Sequence, residues 1–232
     1  MEVLGLHLNF SAYGFWLPND GRGSNSKTVR APHLRPFGPA PVFRPKFSVA
    51  CKPHDWRKNR AAKDQLLYAP VEFTGEQALS IAKGFKSYIE KSGLIVPACA
   101  ILPRHTHLIT LRHRIDAEHI VGQLKAAATR QLIADGLHPF QHLLDKLTEG
   151  EGLPSPWGRG CTKVFLFTDD EIEFEVGYVE GNPPKEGKPK QTWSFVTKFV
   201  RGMRGWSPTE SGTASHREPE EGAAREAPSD EL

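Results

Sequence analysis

Apolar and polar residues alternate from Val3 to Phe10, with Val3, Leu4, Leu6, Leu8 and Phe10 as the apolar set. That period of two predicts a first strand with one buried face, continuing into Tyr13-Gly-Phe-Trp16. Further on, an apolar run from Leu94 to Leu102 reaches Pro103-Arg104, and a second run, Thr106 to Leu111, follows at once. Two such runs with a short polar break predict adjacent strands. Thr162 to Phe167 reads as another. Between the strands the period changes to that of a helix. Ala78, Ile81, Ala82, Phe85 and Ile89 form one apolar stripe, and Ile120, Val121, Leu124, Ala127 and Ala128 form another within Ala117 to Ala134. A third holds Ile172, Phe174, Val176 and Val179. Thr74-Gly-Glu-Gln77 and Thr168-Asp-Asp-Glu171 have the capping-box form, and Asp116 caps the middle helix. Ser92-Gly93 and Gly136 close the first two helices. Asn182-Pro183-Pro184 is expected to end the third near Gly181, because proline cannot donate the next helical hydrogen bond. Strand, helix, two strands, helix, strand, helix predicts an α+β domain, an antiparallel sheet with helices packed on it.

The segments between carry less pattern. Leu17 to Ser24 is turn-rich. Residues 25 to 64 are rich in Pro, Arg and Lys with little periodicity and are expected to form a long irregular insertion, contributing Arg22, Lys27, Arg30, Arg57, Lys58, Arg60 and Lys63 beside and within it. Leu137 to Pro156 reads as loop with one helical turn. Residues 207–232 hold seven acidic residues against two arginines and little that could be buried, so a disordered acidic tail is expected after a domain spanning 1–206. The net charge of +3 therefore divides into −5 on the tail and +8 on the body, a balance compatible with a polyanionic partner. No apolar stretch reaches the roughly 18–20 residues of a membrane span. The N-terminus lacks the pattern of a signal peptide, and Cys51, Cys99 and Cys161 form no CxxC, so the expectation is a cytoplasmic protein with no membrane partner.

Candidate chemistry begins with His105-Thr106-His107 at the head of the strand that runs to Leu111. Residues i and i+2 of a strand share a face, about 6.5–7 Å apart, so the two imidazoles project side by side while Thr106 points to the core. Neutral imidazole is a common metal ligand; two polar residues on a solvated face would give the same pattern. Near the end of the third helix Tyr178 and Asn182 stand four residues apart, on one helical face. A phenol and an amide there could face one point, or could be a core aromatic and an ordinary helix-terminal residue.

The segment LPRHTHLI resembles the HUH motif, commonly MPNHVHLL, of single-tyrosine HUH-endonuclease transposases. YVEGNPPKEGK is similar to their downstream YIxxNPVKxG motif in the form found in REP-associated tyrosine transposases. YGFWLPNDGRGS, KAAATRQLIADGLHPF and PWGRGCTKVFL resemble further signatures of such bacterial proteins, so the likeness extends over roughly residues 4–200. It implies a ferredoxin-like α+β fold and cleavage and rejoining of single-stranded DNA through a covalent 5′-phosphotyrosine. It further implies His105, His107 and Asn182 as ligands of Mg²⁺ or Mn²⁺ and Tyr178 as nucleophile. Two positions depart from the pattern: Thr106 stands where an apolar residue is usual, so its hydroxyl needs a partner, and Arg104 replaces the usual Asn or Asp.

A divalent ion on the phosphate oxygens would neutralise charge in the transition state, and tyrosine, with a pKa near 10, needs positioning to act as a phenolate. The expected partner is single-stranded or hairpin DNA, which suits basic residues and aromatic platforms. Candidates are Lys125 and Arg130, turned outward on their helix, with Arg159, Lys163, Lys185 and Trp157; Trp16 and Trp193 are further platforms, and Lys185 to Lys190 a basic run. Two other readings fit the same residues: a metal-dependent phosphodiesterase using water, and a DNA-binding protein without catalysis. Monomer and homodimer are both open.

Overall fold

The computed structural model describes residues 2–20, 29, 31–38 and 55–207. The expected acidic tail beyond Ser207 lies outside the described residues, as do Arg22, Lys27 and Arg30 of the basic segment. Four strands, β1 (Gly5–Ser11), β2 (Ala98–Ile101), β3 (His105–Leu111) and β4 (Thr162–Leu166), form one sheet in the order β2-β3-β1-β4. Every neighbouring pair is antiparallel. With helices α1 (Trp56–Asp64), α2 (Gly75–Ser92), α3 (Ala117–Ala134) and α4 (Asp169–Lys185), the run β1-α2-β2-β3-α3-β4 is the expected ferredoxin-like α+β plan, with α4 added.

Strand alternation divides the core between the two faces of this sheet. Leu6, Leu8 and Phe10 of β1 and Leu108 of β3 meet Ile81, Phe85 and Ile89 of α2 and Ile120, Leu124 and Leu132 of α3. Burial of each such large side chain contributes roughly 1.5–3 kcal/mol. On the other face Ala98, Ala100, Ile109 and Leu111 pack against Ile172 and Val179 of α4. The sheet is thus a middle layer, with α2 and α3 on one side and α4 alone on the other. The odd-numbered residues His7, Asn9 and Ser11 of β1, like His105 and His107 of β3, belong to the α4 side.

Both capping boxes form as expected. Thr74 Oγ1 accepts from Gln77 N (3.2 Å) while Gln77 Oε1 accepts from Thr74 N (2.9 Å), and Thr168 and Glu171 do the same at the head of α4. Three expectations need correction. The first strand ends at Ser11 and, beyond a single bridge from Ala12 to Trp157, does not continue into Tyr13 to Trp16, where the chain turns at Gly14 (φ 77°). The segment from 25 to 64 is not irregular throughout, because α1 and a 3-10 turn at Pro32–Phe37 occupy part of it. Asp55 caps α1 by accepting from Lys58 N, and a helix whose one buried residue is Ala62 has almost no apolar stripe to detect. Nor does α4 end at Gly181: Pro183 and Pro184 lie inside it. Their fixed φ is helical, and the cost of two missing donors falls only on the last turn. The actual stop is Gly187, in the left-handed region at φ 67°. Its N–H reaches Pro184 O (3.0 Å) and Lys188 N reaches Pro183 O (2.8 Å), the paired bonds of a Schellman ending. Asn182 is consequently a residue of the helix body.

After α4 the chain returns over the β2 edge. The Gln191 side chain accepts from Ile101 N (2.8 Å) and donates to Ile101 O (2.7 Å), and Thr197 N donates to Val96 O (2.9 Å). No helix among the described residues is long and apolar enough to cross a membrane.

Two substitutions test this packing. A Cβ on Gly84 of α2 would sit 2.7 Å from Ala127 O and from Ala128 Cα of α3, so Gly84→Ala should lower unfolding free energy by about 1–3 kcal/mol despite its better helix propensity, read by urea titration. Thr106 is fully buried and its hydroxyl has no hydrogen-bond partner, so the partner expected from the sequence is missing. Thr106→Val should therefore stabilise the fold by about 1 kcal/mol, and an unchanged or lowered melting temperature would contradict that account.

Candidate active site

The register of the sheet puts polar residues opposite one another at its centre: Asn9 pairs with His107 and Ser11 with His105. His105 and His107 project from the same face of β3, as the alternation requires, with ring centroids 4.9 Å apart and planes at 82°. His7 joins them from β1. Its Nε2 lies 2.8 Å from His107 Nδ1, and its Nδ1 lies 2.7 Å from Glu175 Oε2 on α4. Burial, more than the neighbouring His105 and His7, pushes the His107 pKa down to about 3. Burial also lowers that of His7, against the pull of Glu175. Both rings are neutral at ordinary pH.

Glu175, Tyr178, Asn182 and Glu186 are spaced by three, four and four residues and so make one stripe along α4. Its lower end is fixed by the Glu175–His7 contact and its upper end by Glu186 Oε1, 3.8 Å from His105 Nε2. Between them the Tyr178 ring lies 5.8 Å from that of His107 and 5.9 Å from that of His7. Tyr178 remains 40% exposed and borders an open cleft of about 400 Å³ lined by His7, Asn9, His107, Thr162, Val164, Phe174, Glu175 and Tyr178. Lys185 Nζ sits 4.9 Å from the centre of the phenol ring. Asn182, one turn beyond Tyr178 towards His105, is buried, and its side-chain nitrogen has no hydrogen-bond partner. The four residues singled out in the sequence are thus drawn to one region by β3 and α4.

Among the described residues no group of three or more His, Cys, Asp or Glu is placed to hold a metal ion. A site here would use two imidazoles and the Asn182 amide. Imidazole nitrogen suits Mn²⁺ better than Mg²⁺, which prefers oxygen ligands and keeps waters; the unpartnered atom of the buried Asn182 amide is its nitrogen, a donor that suits a water or phosphate oxygen while the amide oxygen is the atom that would face a metal.

Sequence reasoning passed over His7, Glu175, Glu186 and Phe15, whose ring stacks on His105 at 5.3 Å and 13°. The signal for His7 was its place in the polar half of the β1 alternation; that this half would be covered by α4 was not visible. The proposed DNA contacts separate into groups. Arg130 and Arg159 are exposed, and Lys185 lies over Tyr178. Lys163 is paired with Glu118 (2.5 Å). Lys125 is not turned outward: its Nζ donates to Gly158 O (2.8 Å) and Gly160 O (2.7 Å), and burial lowers its pKa to about 8. Trp157 offers no face for stacking, because it is buried against Phe10 and Phe73 and its indole N–H donates to Thr129 Oγ1 (3.1 Å). Trp16 is 40% exposed and packs edge-on to Phe15, whereas Trp193 stacks on Phe195. Arg104 turns to Glu72, its Nε donating to Oε1 at 2.8 Å.

No family model and no curated protein matches the chain. Among solved structures, a REP-associated tyrosine transposase bound to a REP hairpin is similar at a TM-score of 0.42 and 13% identity, over 82% of this chain and 73% of that one. A provisionally named transposase from Deinococcus radiodurans R1 is similar at a TM-score of 0.33 and 14% identity, over 78% of this chain and 92% of that one. Likenesses of this grade assign neither family nor activity.

The neutrality of His107 has a consequence for stability. Between about pH 6.5 and about 3 the unfolded chain binds a proton at this residue that the folded chain refuses. Stability should therefore fall as the pH drops below about 6.5, by up to about 1.4 kcal/mol per pH unit for this one proton. Urea titrations at about pH 7 and pH 5 should show a smaller loss in His107→Asn than in wild type; equal losses would refute the assignment.

Proposed function

We propose that this protein is a transposase-type nuclease that cleaves and rejoins single-stranded DNA through Tyr178, with His105, His107 and Asn182 holding a divalent metal. The observation that carries this reading is the meeting of a solvent-reachable phenol with a strand-borne pair of imidazoles, Tyr178 and His107 lying 5.8 Å apart between ring centres. The metal, Mg²⁺ or Mn²⁺, would supply charge neutralisation at the phosphate oxygens when bound.

The chain's own groups account for the rest. Tyr178 Oη attacks phosphorus and gives up its proton, forming a P–O bond to the phenol while the P–O3′ bond breaks. A 5′-phosphotyrosine and a free 3′-hydroxyl result. Reversal by a 3′-hydroxyl restores the phosphodiester, so rejoining needs no nucleotide cofactor. The ammonium of Lys185, 4.9 Å from the centre of the ring, attracts the phosphate. At the head of α4 the carboxylates of Asp169, Asp170 and Glu173 are paired with Arg204 and Arg201, so Lys185 is the cation of α4 that stands beside the phenol for the strand to meet. Exposed Arg130 and Arg159 are candidates for holding it further away.

Incubation with a pool of single-stranded and hairpin oligonucleotides and Mn²⁺ should give a denaturant-resistant protein–DNA adduct. Tyr178→Phe should reduce the adduct to background, and His107→Ala should lower it at least about tenfold. Undiminished cleavage by Tyr178→Phe would move the chemistry to a water nucleophile, and binding without any cleavage would leave a DNA-binding protein.

A further inference from the structure

The proposed ligand set leaves unexplained why His107 is tied to a third histidine and a carboxylate. An ionised carboxylate can only accept hydrogen bonds. Glu175 Oε2, 2.7 Å from His7 Nδ1, therefore places the His7 proton on Nδ1. A neutral imidazole carries one N–H, so His7 Nε2 is an acceptor. Its neighbour at 2.8 Å, His107 Nδ1, must then be the donor. With its proton held there, His107 keeps a lone pair on Nε2. With Glu175 as a carboxylate and His7 as a neutral ring, the two contacts admit this one arrangement of protons.

We infer that Glu175 and His7 are positioning residues that fix the tautomer and ring orientation of His107, so that Nε2 is its metal-binding atom. A carboxylate or other acceptor behind a ligating histidine does this for many metal sites; here a second imidazole is interposed, carrying the constraint from α4 through β1 to β3. The inference rests on the proposed function only in taking His107 as a ligand. The alternative is that the three groups merely satisfy one another in a buried place.

Two measurements separate these possibilities. The first is the tautomer of His107 in metal-free protein, from nitrogen chemical shifts of ¹⁵N-histidine-labelled samples. Wild type should carry the Nδ1–H form, and Glu175→Leu should shift His107 towards the Nε2–H form. An Nε2–H tautomer in wild type, or no change in Glu175→Leu, overturns the inference. The second is Mn²⁺ affinity by electron paramagnetic resonance. Glu175→Leu and His7→Leu should each bind about 10–100-fold more weakly, and the double variant no more weakly than His7→Leu, since Glu175 acts only through His7. His7→Gln, whose amide oxygen can accept from His107 Nδ1, should recover part of the loss. Additive losses, or wild-type affinity in Glu175→Leu, overturn it too. If Glu175→Leu unfolds, the tautomer in folded Glu175→Met, near in volume but without an acceptor oxygen, is read instead, and an unchanged Nδ1–H population there with wild-type Mn²⁺ affinity counts against the inference. Failure of the function alone looks different: wild type binds Mn²⁺ with the Nδ1–H tautomer yet forms no DNA adduct.

Discussion

Imidazoles buried in the middle of a sheet must find hydrogen-bond partners or cost several kcal/mol. In this protein the partner for the innermost ring, His107, is another ring on the adjacent strand, His7, at 2.8 Å. The remaining demand passes outward to Glu175 on α4. That requirement sets where α4 lies. A helix with only apolar residues over this face would leave His7 unsatisfied; one displaced by a turn would bring Tyr178 or Val179 where Glu175 is needed. Apolar contacts of Ile172 and Val179 hold α4 on the sheet, but they would tolerate sliding, and the polar stripe does not.

The ends of α4 are secured separately. Asp169 at its first turn accepts from Gly202 N (2.9 Å) and from Arg204 (2.8 Å), and Arg201 reaches both Asp170 and Glu173. Each exposed ion pair contributes at most about 1 kcal/mol, yet together they fasten the returning chain to the helix. At the other end the Gly187 turn fixes the backbone just past Asn182 and Lys185. Tyr178 sits midway, partly exposed on a helix tied at three places.

Much of this architecture could be read from the sequence because local and tertiary signals agree. The capping boxes at Thr74 and Thr168, the alternation in β1 and β3 and the stripes on α2 and α3 each have a local cause that the fold respects. The same holds for the shared face of His105 and His107, a property of any strand. What could not be read depended on which elements lie together. His7 looks like any polar residue in an amphipathic strand until α4 is seen to cover that face. Lys125 was expected outward by helical phase, but the loop carrying Gly158 and Gly160 folds over it and offers two carbonyls. The end of α4 was misjudged because Pro183 signals a stop locally, whereas Gly187 provides the stop that the chain uses. α1 was missed because a single buried alanine leaves no periodicity.

The imidazoles come from β1 and β3 and the phenol from α4 of one polypeptide, and the helix closes onto its own sheet through Ile172 and Val179. His7 and Glu175 stand 168 residues apart in sequence, so the constellation comes into being only once the sheet has closed beneath its covering helix.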